Sequence, residues 1–471
     1  MSSIITGKQV KAINFSSGDL VLQDINNNKI SIKTNNTIFE DIKKRKLSSS
    51  IFGHFYPYCS KLDVKQCYDT LNKNEIKLDF NRSLKILLTQ LYIKNFYNLD
   101  KYINFLYNGL TKASPVQLTL FVTSRCNIRC KMCFYWEPVE NKSTQEISLE
   151  EVDKISKSMP DFFWLLLSGG EAFVREDLPE IVETFYKNNN IKHLTIPTNG
   201  TYEKKTLAVL ERILTRCPDL FINFHLSLNG IGEEHDELCQ NKGAFVKLIS
   251  TYKSVSELKK KYKNLGMGMS MTHSKFNEKN LNDVIDYTVE HLPNIDNLNL
   301  NLVRGKPKDT SAIDVNLDKY KEAVQKIEQH VMAGKIRSFS HFFGKIAFIK
   351  DAIMRRIISN TVKFGYQIPC LAGKISFVVD EKTNVYPCEM LSSLGNLRDN
   401  NYDFSKILDS EKLKSVVNKI KCSNCFCTHE CSYSSNILFN IPLIFTIFRQ
   451  YILYSFRKLF NSKKFFDEFD D

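Results

Sequence analysis

The middle of the chain repeats short apolar runs separated by longer amphipathic segments. The runs have the length of β-strands and occupy residues 116–122, 163–167, 193–197, 221–228, 267–272 and 298–303. The segments between them carry helix start signals: Ser148 and Glu151 form a capping box, and Asp177 and Asn280 precede further periodic stretches. Strands that alternate with helices predict an α/β fold with a parallel sheet and outer helices, either open or closed into a barrel.

The regions that flank this repeat have other patterns. Before it, apolar positions alternate on both sides of a three-asparagine turn and predict a β-hairpin, at Leu20, Leu22, Ile30 and Ile32. Apolar segments over 84–97 and 102–110 predict one or two buried helices. After the repeat, helical patterns cover 314–332 and 345–358.

These changes of pattern divide the chain into five predicted parts. They are an N-terminal α+β region without recognisable chemistry (1–112), the α/β core (113–335), a helical linker (336–369), a cysteine-rich domain (370–435) and an amphipathic aromatic and basic tail (436–471).

Composition narrows the function classes. The 471 residues are 43% hydrophobic, which supports packed cores, and the formal net charge is +13. Lysine is abundant along the whole chain, so the charge does not by itself predict a nucleic-acid or membrane partner. The first residues do not resemble a secretory signal, and the longest uncharged apolar stretch, 437–448, is too short to span a bilayer. We therefore expect a cytoplasmic protein with reduced cysteines.

The thirteen cysteines fall into three sets. Four are scattered and are expected to be small buried hydrophobic residues: Cys59, Cys67, Cys217 and Cys239. Three form a tight group after the first core strand: Cys126, Cys130 and Cys133. Six lie in the C-terminal part: Cys370, Cys388, Cys422, Cys425, Cys427 and Cys431.

The three-cysteine loop reads CNIRCKMC and can bring three thiolates to one metal centre. Soft thiolates select iron-sulfur clusters, zinc or cuprous ions. A structural zinc site has four ligands, and neither Cys nor His supplies a fourth nearby in the sequence. Three ligands would instead leave one iron of a 4Fe-4S cluster open. Loops at the carboxyl ends of parallel strands carry the active sites of such folds, which suits this position.

This loop resembles the CxxxCxxC signature of the radical S-adenosylmethionine (radical SAM) superfamily, including the aromatic residue after the third cysteine. The likeness covers roughly 112–335 and continues at successive predicted strand ends. There the sequence has Ser168-Gly169-Gly170-Glu171, Thr198-Asn199-Gly200, Ser227-Leu228-Asn229-Gly230 and Thr272. The resemblance implies a partial (β/α)6 parallel barrel.

The resemblance also implies roles for these residues. Cys126, Cys130 and Cys133 would ligate three irons, and S-adenosylmethionine would chelate the fourth and be cleaved to a 5′-deoxyadenosyl radical. The other cofactor contacts would be Gly169 and Gly170 beside the methionine moiety, Glu171 at its amino group, Ser227 and Asn229 at the ribose, with Thr198, Asn199 and Thr272 nearby. Two positions depart from the family pattern, with Ala172 in place of proline and Asn229 in place of aspartate.

The six C-terminal cysteines resemble the SPASM and twitch extensions of radical SAM enzymes, which hold auxiliary 4Fe-4S clusters. The spacing of Cys370, Cys388, Cys422 and Cys425 is similar to the twitch arrangement, and no further cysteine follows Cys431. One auxiliary cluster is expected, with two as the alternative and all six cysteines as candidate ligands. A zinc knuckle that includes His429 is the other reading.

The resemblance implies an enzyme that abstracts hydrogen from a substrate, with a peptide or protein as the expected substrate class. The alternatives are a small molecule, a lipid or RNA, and, from another class, a non-catalytic zinc-binding interaction protein. Expected partners are S-adenosylmethionine and a one-electron reductant such as flavodoxin or ferredoxin. Nucleic acid is not favoured, because no RNA-binding module is recognisable. The tail is expected either to pack on the protein or to lie on a membrane surface.

Overall fold

The computed structural model describes residues 10–16, 19–24, 29–33, 105, 108–111, 114–141, 145–336 and 342–459. Contacts divide the chain into two units, 1–104 and 105–471. In the first unit, strands β1 (Val10–Ser16), β2 (Asp19–Asp24) and β3 (Lys29–Lys33) form an antiparallel sheet. Leu20 pairs with Ile32 and Leu22 with Ile30, so the hairpin prediction is confirmed. The helix expected over 84–97 lies outside the described residues, and 108–111 are helical as expected.

The second unit is built on one nine-stranded sheet. Its central strands are β4 (Gln117–Thr123), β5 (Trp164–Gly169), β6 (His193–Thr198), β7 (Phe221–Ser227), β8 (Leu265–His273) and β9 (Asn297–Leu302). They lie side by side in chain order, and every neighbouring pair is parallel. The six predicted strands and the predicted α/β class with a partial parallel barrel are confirmed.

Helices follow these strands along the chain. They are α1 (Trp136–Asn141), α2 (Leu149–Ser158), α3 (Leu178–Asn188), α4 (Glu203–Arg216), α5 (Glu233–Cys239), α6 (Ala244–Lys261), α7 (Leu281–His291) and α8 (Leu317–Met332). The Ser148–Glu151 capping box opens α2 as expected. The expected helix over 314–332 begins only at Leu317, because the Asn316 side chain accepts hydrogen bonds from the amides of Asp318 and Lys319 and so caps it there.

The C-terminal part completes the sheet and covers it. A long helix, α9 (Phe342–Phe364), leads to β10 (Ser376–Val379), β11 (Asn384–Tyr386) and β12 (Gly395–Asn396). Strand β10 pairs in parallel with β4, so the sheet runs on from the core into the cysteine-rich part. The remaining helices are α10 (Phe404–Leu408), α11 (Glu411–Cys422), α12 (Glu430–Leu438) and α13 (Ile441–Leu459).

The two faces of the parallel sheet differ in chemistry. Alternate residues such as Leu194, Phe224 and Leu300 are buried in the main core together with the apolar stripes of the helices. The other face is polar, as the Asn-Leu alternation of Asn297–Leu302 illustrates. A strand alternates its side chains between faces, so this pattern separates a packed side from a side suited to binding.

Helix α12 lies against the polar face, which explains its composition. It buries Ser432, Ser434, Ser435 and Asn436. The Ser435 hydroxyl donates to Gln117 Oε1 on β4 (2.5 Å), and Lys350 of α9 donates to the Ser434 hydroxyl (2.5 Å). Buried polar groups need such partners, so these bonds hold α12 in place.

Across the described ranges, no single helix has both the length and the apolar character needed to cross a membrane. One pair, α12 together with residues 441–454 of α13, meets the requirement jointly, and its two helices are bent by 88°.

Candidate functional site

The three-cysteine loop follows β4 directly and is clamped from two sides. The amides of Arg129 and Lys131 donate to the carbonyls of Cys239 (3.1 Å) and Leu238 (3.0 Å) at the end of α5. The amides of Lys308 and Asp309, in the segment after β9, donate to the carbonyls of Cys133 (3.0 Å) and Lys131 (2.9 Å). The loop is thus fixed by backbone bonds to elements far away in sequence.

The three thiols are half-buried in this loop. Burial, together with the negative charge of Glu171, Cys130 and Cys133, raises the pKa of Cys126 to about 12. Burial likewise raises the pKa of Cys133 to about 11. Thiols in such a setting ionise when a cation compensates the charge, since metal ligands must be deprotonated.

The donor set fits an iron-sulfur cluster. Among the described residues, no three Cys, His, Asp or Glu side chains are close enough to hold a single metal ion. A four-iron cluster presents separate irons to separate thiolates, so its ligands need not converge on one point. Three soft donors on one clamped loop therefore suit such a cluster.

Cys239 lies beside this loop, which the sequence did not indicate. Cys126, Cys130 and Cys239 share one small apolar cluster with Ile128 and Ala244. A hydrogen bond with the Cys239 thiol, followed by burial, raises the pKa of Cys130. We expected Cys239 to be a small buried residue, and it is buried. Its neighbour Cys130 could not be predicted, because the two cysteines are far apart in the sequence.

Gly169 and Gly170 follow β5 where the chain passes very close to the three-cysteine loop. A Cβ atom on Gly169 would lie 2.4 Å from the carbonyl oxygen of Thr123, and one on Gly170 would lie 2.2 Å from that of Arg125. Gly169 also has a φ of +105°, which disfavours any other residue. The glycines are thus required by backbone packing inside the protein, a reason that the sequence comparison with the family did not supply.

Glu171 is buried and fully engaged by the protein. Its carboxylate accepts hydrogen bonds from the Thr198 hydroxyl (2.8 Å) and from the amides of Asn199 (2.8 Å) and Phe173 (3.2 Å). Burial raises the pKa of this carboxyl group, and these donors oppose the rise. Glu171 therefore joins the loop after β5 to the end of β6, in addition to any contact with a ligand.

Asn199 links Glu171 to the three-cysteine loop by hydrogen bonds. Its Nδ2 donates to Asn127 Oδ1 (3.0 Å), and Asn127 lies immediately after Cys126. Asn127 Nδ2 in turn donates to the Thr201 hydroxyl (2.7 Å). Side chains that start at three separate strand ends thus form one hydrogen-bonded network.

Asn229 and Thr272 lie at the neighbouring ends of β7 and β8. The Asn229 side-chain oxygen accepts from the Thr272 amide (2.8 Å), and the carbonyls of both residues accept from Asn277 Nδ2. The amide of Asn229 donates to His235 Nδ1 (3.3 Å), and His235 Nε2 lies 3.4 Å from the Cys239 thiol. Ser227 is half-buried at the last position of β7.

The polar face of the sheet centres on His225, a buried residue that the sequence motifs did not single out. Its Nδ1 lies 3.2 Å from the Ser270 hydroxyl and 3.4 Å from Asn299 Nδ2. Burial lowers the pKa of His225 to about 4, so the ring is neutral at pH 7. Gly268 leaves room for it, because a Cβ there would lie 2.8 Å from His225 Cε1.

The C-terminal cysteines do not form a single set. Burial raises the pKa of Cys388 to about 12, and charge on Cys370, Cys427 and Cys425 raises this pKa further. These four cysteines therefore lie in one region of the structure. Cys422 is exposed on α11, and its thiol faces Asn418 of the same helix (3.6 Å). Cys431 lies apart from the four, where the charges of Arg304, Glu389 and Glu430 act on its pKa, which burial raises to about 12.

A buried ionic cluster lies between the two cysteine regions. Arg304, after β9, pairs with Glu389 (3.1 Å) and Glu430 (3.4 Å), and Glu389 also lies 3.4 Å from His429 Nε2. The Arg304 guanidinium stacks 4.6 Å from the ring centre of Phe134, the residue after Cys133. The cluster therefore joins the three-cysteine loop to the residues next to Cys388 and Cys431.

Comparison with known proteins identifies the middle of the chain. Residues 120–288 match the family model described as Radical SAM superfamily. The antilisterial bacteriocin subtilosin biosynthesis protein AlbA of Bacillus subtilis is 30% identical over 146 residues, which are 30% of this chain and 31% of that protein. The Fe-coproporphyrin III synthase of Methanosarcina barkeri is 26% identical over 44% of this chain and 49% of its own. The chain thus spans about a third to a half of these curated relatives.

Longer matches have lower identity. The cysteine-type anaerobic sulfatase-maturating enzyme of Clostridium novyi is 21% identical over 64% of this chain and 83% of its own. Among solved structures, anSMEcpe with bound AdoMet is 18% identical, with a TM-score of 0.48 over 71% of this chain and 96% of that chain. SuiB of Streptococcus suis is 13% identical, with a TM-score of 0.46 over 86% of this chain and 89% of that chain.

The family match covers the loop with Cys126, Cys130 and Cys133 and extends beyond the loop after β5 and the ends of β6 and β7. These are the segments that carry the ordered family motifs. The α/β core of this chain therefore contains a radical SAM domain, as the sequence motifs predicted.

Proposed function

We propose that this protein is a radical SAM enzyme that abstracts hydrogen from a peptide or protein substrate. The observation that carries the proposal is the clamped loop with Cys126, Cys130 and Cys133 at the carboxyl end of β4, hydrogen-bonded through Asn127 to the other strand-end motifs. A 4Fe-4S cluster bound there would supply the electron that cleaves S-adenosylmethionine to methionine and a 5′-deoxyadenosyl radical.

The residues of the chain position and shield this chemistry. Cys126, Cys130 and Cys133 would hold three irons, and Glu171, fixed by Thr198 and Asn199, would bind the cofactor amino group. Ser227 and Asn229 would bind the ribose, with Thr272 held beside them by the Asn229 side chain. Gly169 and Gly170 hold the loop after β5 in close backbone contact with the start of the cysteine loop, so these two segments would stay fixed relative to each other when the cofactor binds.

An auxiliary cluster is held by Cys370, Cys388, Cys425 and Cys427. The support is the mutual influence of these four thiols, whereas Cys422 is exposed and Cys431 lies in the Arg304 cluster. This assignment selects four of the six candidate cysteines and differs from the twitch-like spacing, which contains Cys422 in place of Cys427. The spacing alone could not separate Cys422 from Cys427, because both lie within two to three residues of Cys425.

A peptide substrate is supported by two relatives. One takes part in the biosynthesis of a bacteriocin, and another is a sulfatase-maturating enzyme. The polar face of β7–β9 with His225, Ser270 and Asn299 offers uncharged hydrogen-bonding side chains, which suit a peptide backbone. The relatives that act on porphyrins or GTP keep a small molecule as the alternative.

A second proposal concerns peripheral contact with a membrane through α13 of an otherwise cytoplasmic protein. One face of α13 is packed in the main core through Ile447 and Tyr454. The opposite face exposes an apolar stripe at helical spacing, made of Ile441, Phe445, Phe448 and Ile452. Arg449 is exposed on the same helix. Such a stripe beside a cation suits the boundary of an anionic membrane.

Two experiments test these proposals. In anaerobically reconstituted protein, adding S-adenosylmethionine should change the electron paramagnetic resonance spectrum of the reduced cluster, and the change should vanish when Cys126, Cys130 and Cys133 are all replaced by Ala. For the substrate class, the peptide fraction of a cell extract should stimulate 5′-deoxyadenosine formation and lose that effect after protease treatment. Stimulation by only the small-molecule fraction would overturn the peptide assignment.

For the membrane proposal, the measurement is sedimentation with vesicles of mixed anionic and neutral phospholipid. Phe445→Ser and Phe448→Ser together should abolish sedimentation of a protein that otherwise pellets with the vesicles. Val246→Ser and Ile313→Ser together, which likewise replace two exposed apolar side chains outside α13, are the matched control. Equal sedimentation of the α13 variant and the native chain would overturn the proposal.

A further inference from the structure

An exposed aromatic and aliphatic patch lies on the surface beside the C-terminal cysteines. It consists of Val362, Phe364, Tyr366 and Phe426, and their exposed fractions are 46%, 59%, 37% and 54%. The Phe426 ring lies over Gly365, since a Cβ on that glycine would be 3.5 Å from Phe426 Cζ. The patch is therefore continuous from the end of α9 to the segment after α11.

The patch borders two of the C-terminal cysteines. Phe426 is the single residue between Cys425 and Cys427, and both thiols are half-buried. On the α9 side, the hydroxyls of Thr361 and Tyr433 form a hydrogen bond (2.8 Å), and the charges of Cys427 and Cys370 act on the pKa of Tyr433. The patch therefore borders two candidate auxiliary ligands that are themselves partly exposed.

The border of the patch is basic. The two segments that form it, 361–370 and 419–428, contain Lys363, Lys419 and Lys421 and have neither Asp nor Glu. All three lysines are exposed, and Lys363 Nζ lies 5.0 Å from the Phe364 ring centre. An apolar centre within a rim of one charge sign is typical of a transient protein interface, where complementary charge guides the encounter.

We propose that this patch, with its three lysines, is the docking surface for a small acidic one-electron donor protein. The proposal rests on the proposed function, because it assigns an entry point for the electron that S-adenosylmethionine cleavage consumes. One electron leaves the reduced donor at each encounter, and the donor dissociates oxidised. The auxiliary cluster that Cys425 and Cys427 would help to hold would accept this electron and pass it on to the cluster of the three-cysteine loop.

The test uses the full-length holoprotein and an acidic bacterial ferredoxin as the probe. The test variant is Lys363→Glu, Lys419→Glu, Lys421→Glu. The control reverses three exposed lysines on or next to the outer helices α4 and α6: Lys204→Glu, Lys253→Glu, Lys263→Glu. Binding is measured by surface plasmon resonance at low and high salt, and 5′-deoxyadenosine formation is measured with ferredoxin and, separately, with dithionite.

The test variant should bind ferredoxin at least tenfold more weakly than the control at low salt and lose ferredoxin-driven turnover, whereas dithionite-driven turnover should remain. Salt should weaken the binding of the native chain by a similar factor. Equal ferredoxin affinity of the test and control variants would overturn the docking proposal. A native chain that binds ferredoxin yet forms no 5′-deoxyadenosine with dithionite would instead overturn the proposed function.

Discussion

Thr198 donates a hydrogen bond from its hydroxyl to Glu171 Oε1 at 2.8 Å, and this bond joins the end of β6 to the loop after β5. The same carboxylate accepts from the Asn199 amide. Thr198 and Glu171 belong to two separate motifs, and the resemblance to the radical SAM family associates both motifs with cofactor binding. Their contact shows that the motifs also support one another, so each can affect the ligand through its neighbour.

Replacing Thr198 tests this mutual support. Thr198→Val removes one donor from a buried carboxylate, and we expect a loss of about 1–3 kcal/mol in the free energy of unfolding. The affinity for S-adenosylmethionine should fall as well. Urea unfolding and isothermal titration calorimetry measure the two effects. Thr198→Ser keeps the hydroxyl and should behave nearly as the native chain; a loss as large as that of Thr198→Val would show that the methyl group matters instead.

Cys239 should not be a cluster ligand although it lies beside Cys130. We expect Cys239→Ala to retain the iron and sulfide content of the native chain after anaerobic reconstitution. Cys130→Ala should lose about four irons, the content of one cluster. Equal iron loss in the two variants would make Cys239 a ligand and contradict the three-ligand arrangement.

The auxiliary ligands can be counted in a chain that lacks the first cluster. With Cys126, Cys130 and Cys133 replaced by Ala, reconstitution should leave about four irons for each chain. Adding Cys422→Ala should not change this number, and adding Cys427→Ala should lower it strongly. A loss with Cys422→Ala and none with Cys427→Ala would restore the assignment based on sequence spacing.

The ion pair of Glu151 and Arg398 predicts a pH-dependent stability. Arg398 donates twice to the Glu151 carboxylate (2.7 and 3.1 Å), which lowers the Glu151 pKa from 4.5 to about 2. A lowered pKa means that the stabilisation is complete above about pH 4.5 and is lost as the pH falls towards 2. Glu151→Gln should therefore cost about 1 kcal/mol at pH 7 and progressively less below pH 4.5.

Urea unfolding of both chains between pH 7 and the most acidic pH that the native chain tolerates measures this difference. Glutamine also serves in a capping box, so the α2 start is retained and the comparison isolates the charge. A difference between the chains that stays constant as the pH falls below 4.5 would contradict the ion-pair explanation.

The sequence predicted the parallel sheet because apolar runs of strand length are a local property. Each of the six strands could be recognised without knowing its neighbours. The residues that contact Cys239 and Glu171 could not be predicted in this way, because they are distant in the sequence and only the fold brings them together. The polar helix α12 was missed for a similar reason: its serines are buried only because the sheet face beneath them is polar, as the Ser435–Gln117 bond shows.

The central claim is that the three-cysteine loop supports reductive cleavage of S-adenosylmethionine. The most direct measurement is 5′-deoxyadenosine formed by the anaerobically reconstituted chain with dithionite and S-adenosylmethionine. The account predicts 5′-deoxyadenosine from the native chain and none when Cys126, Cys130 and Cys133 are all replaced by Ala. No product from a native chain that holds its full iron content, or an undiminished yield from the triple variant, would contradict it.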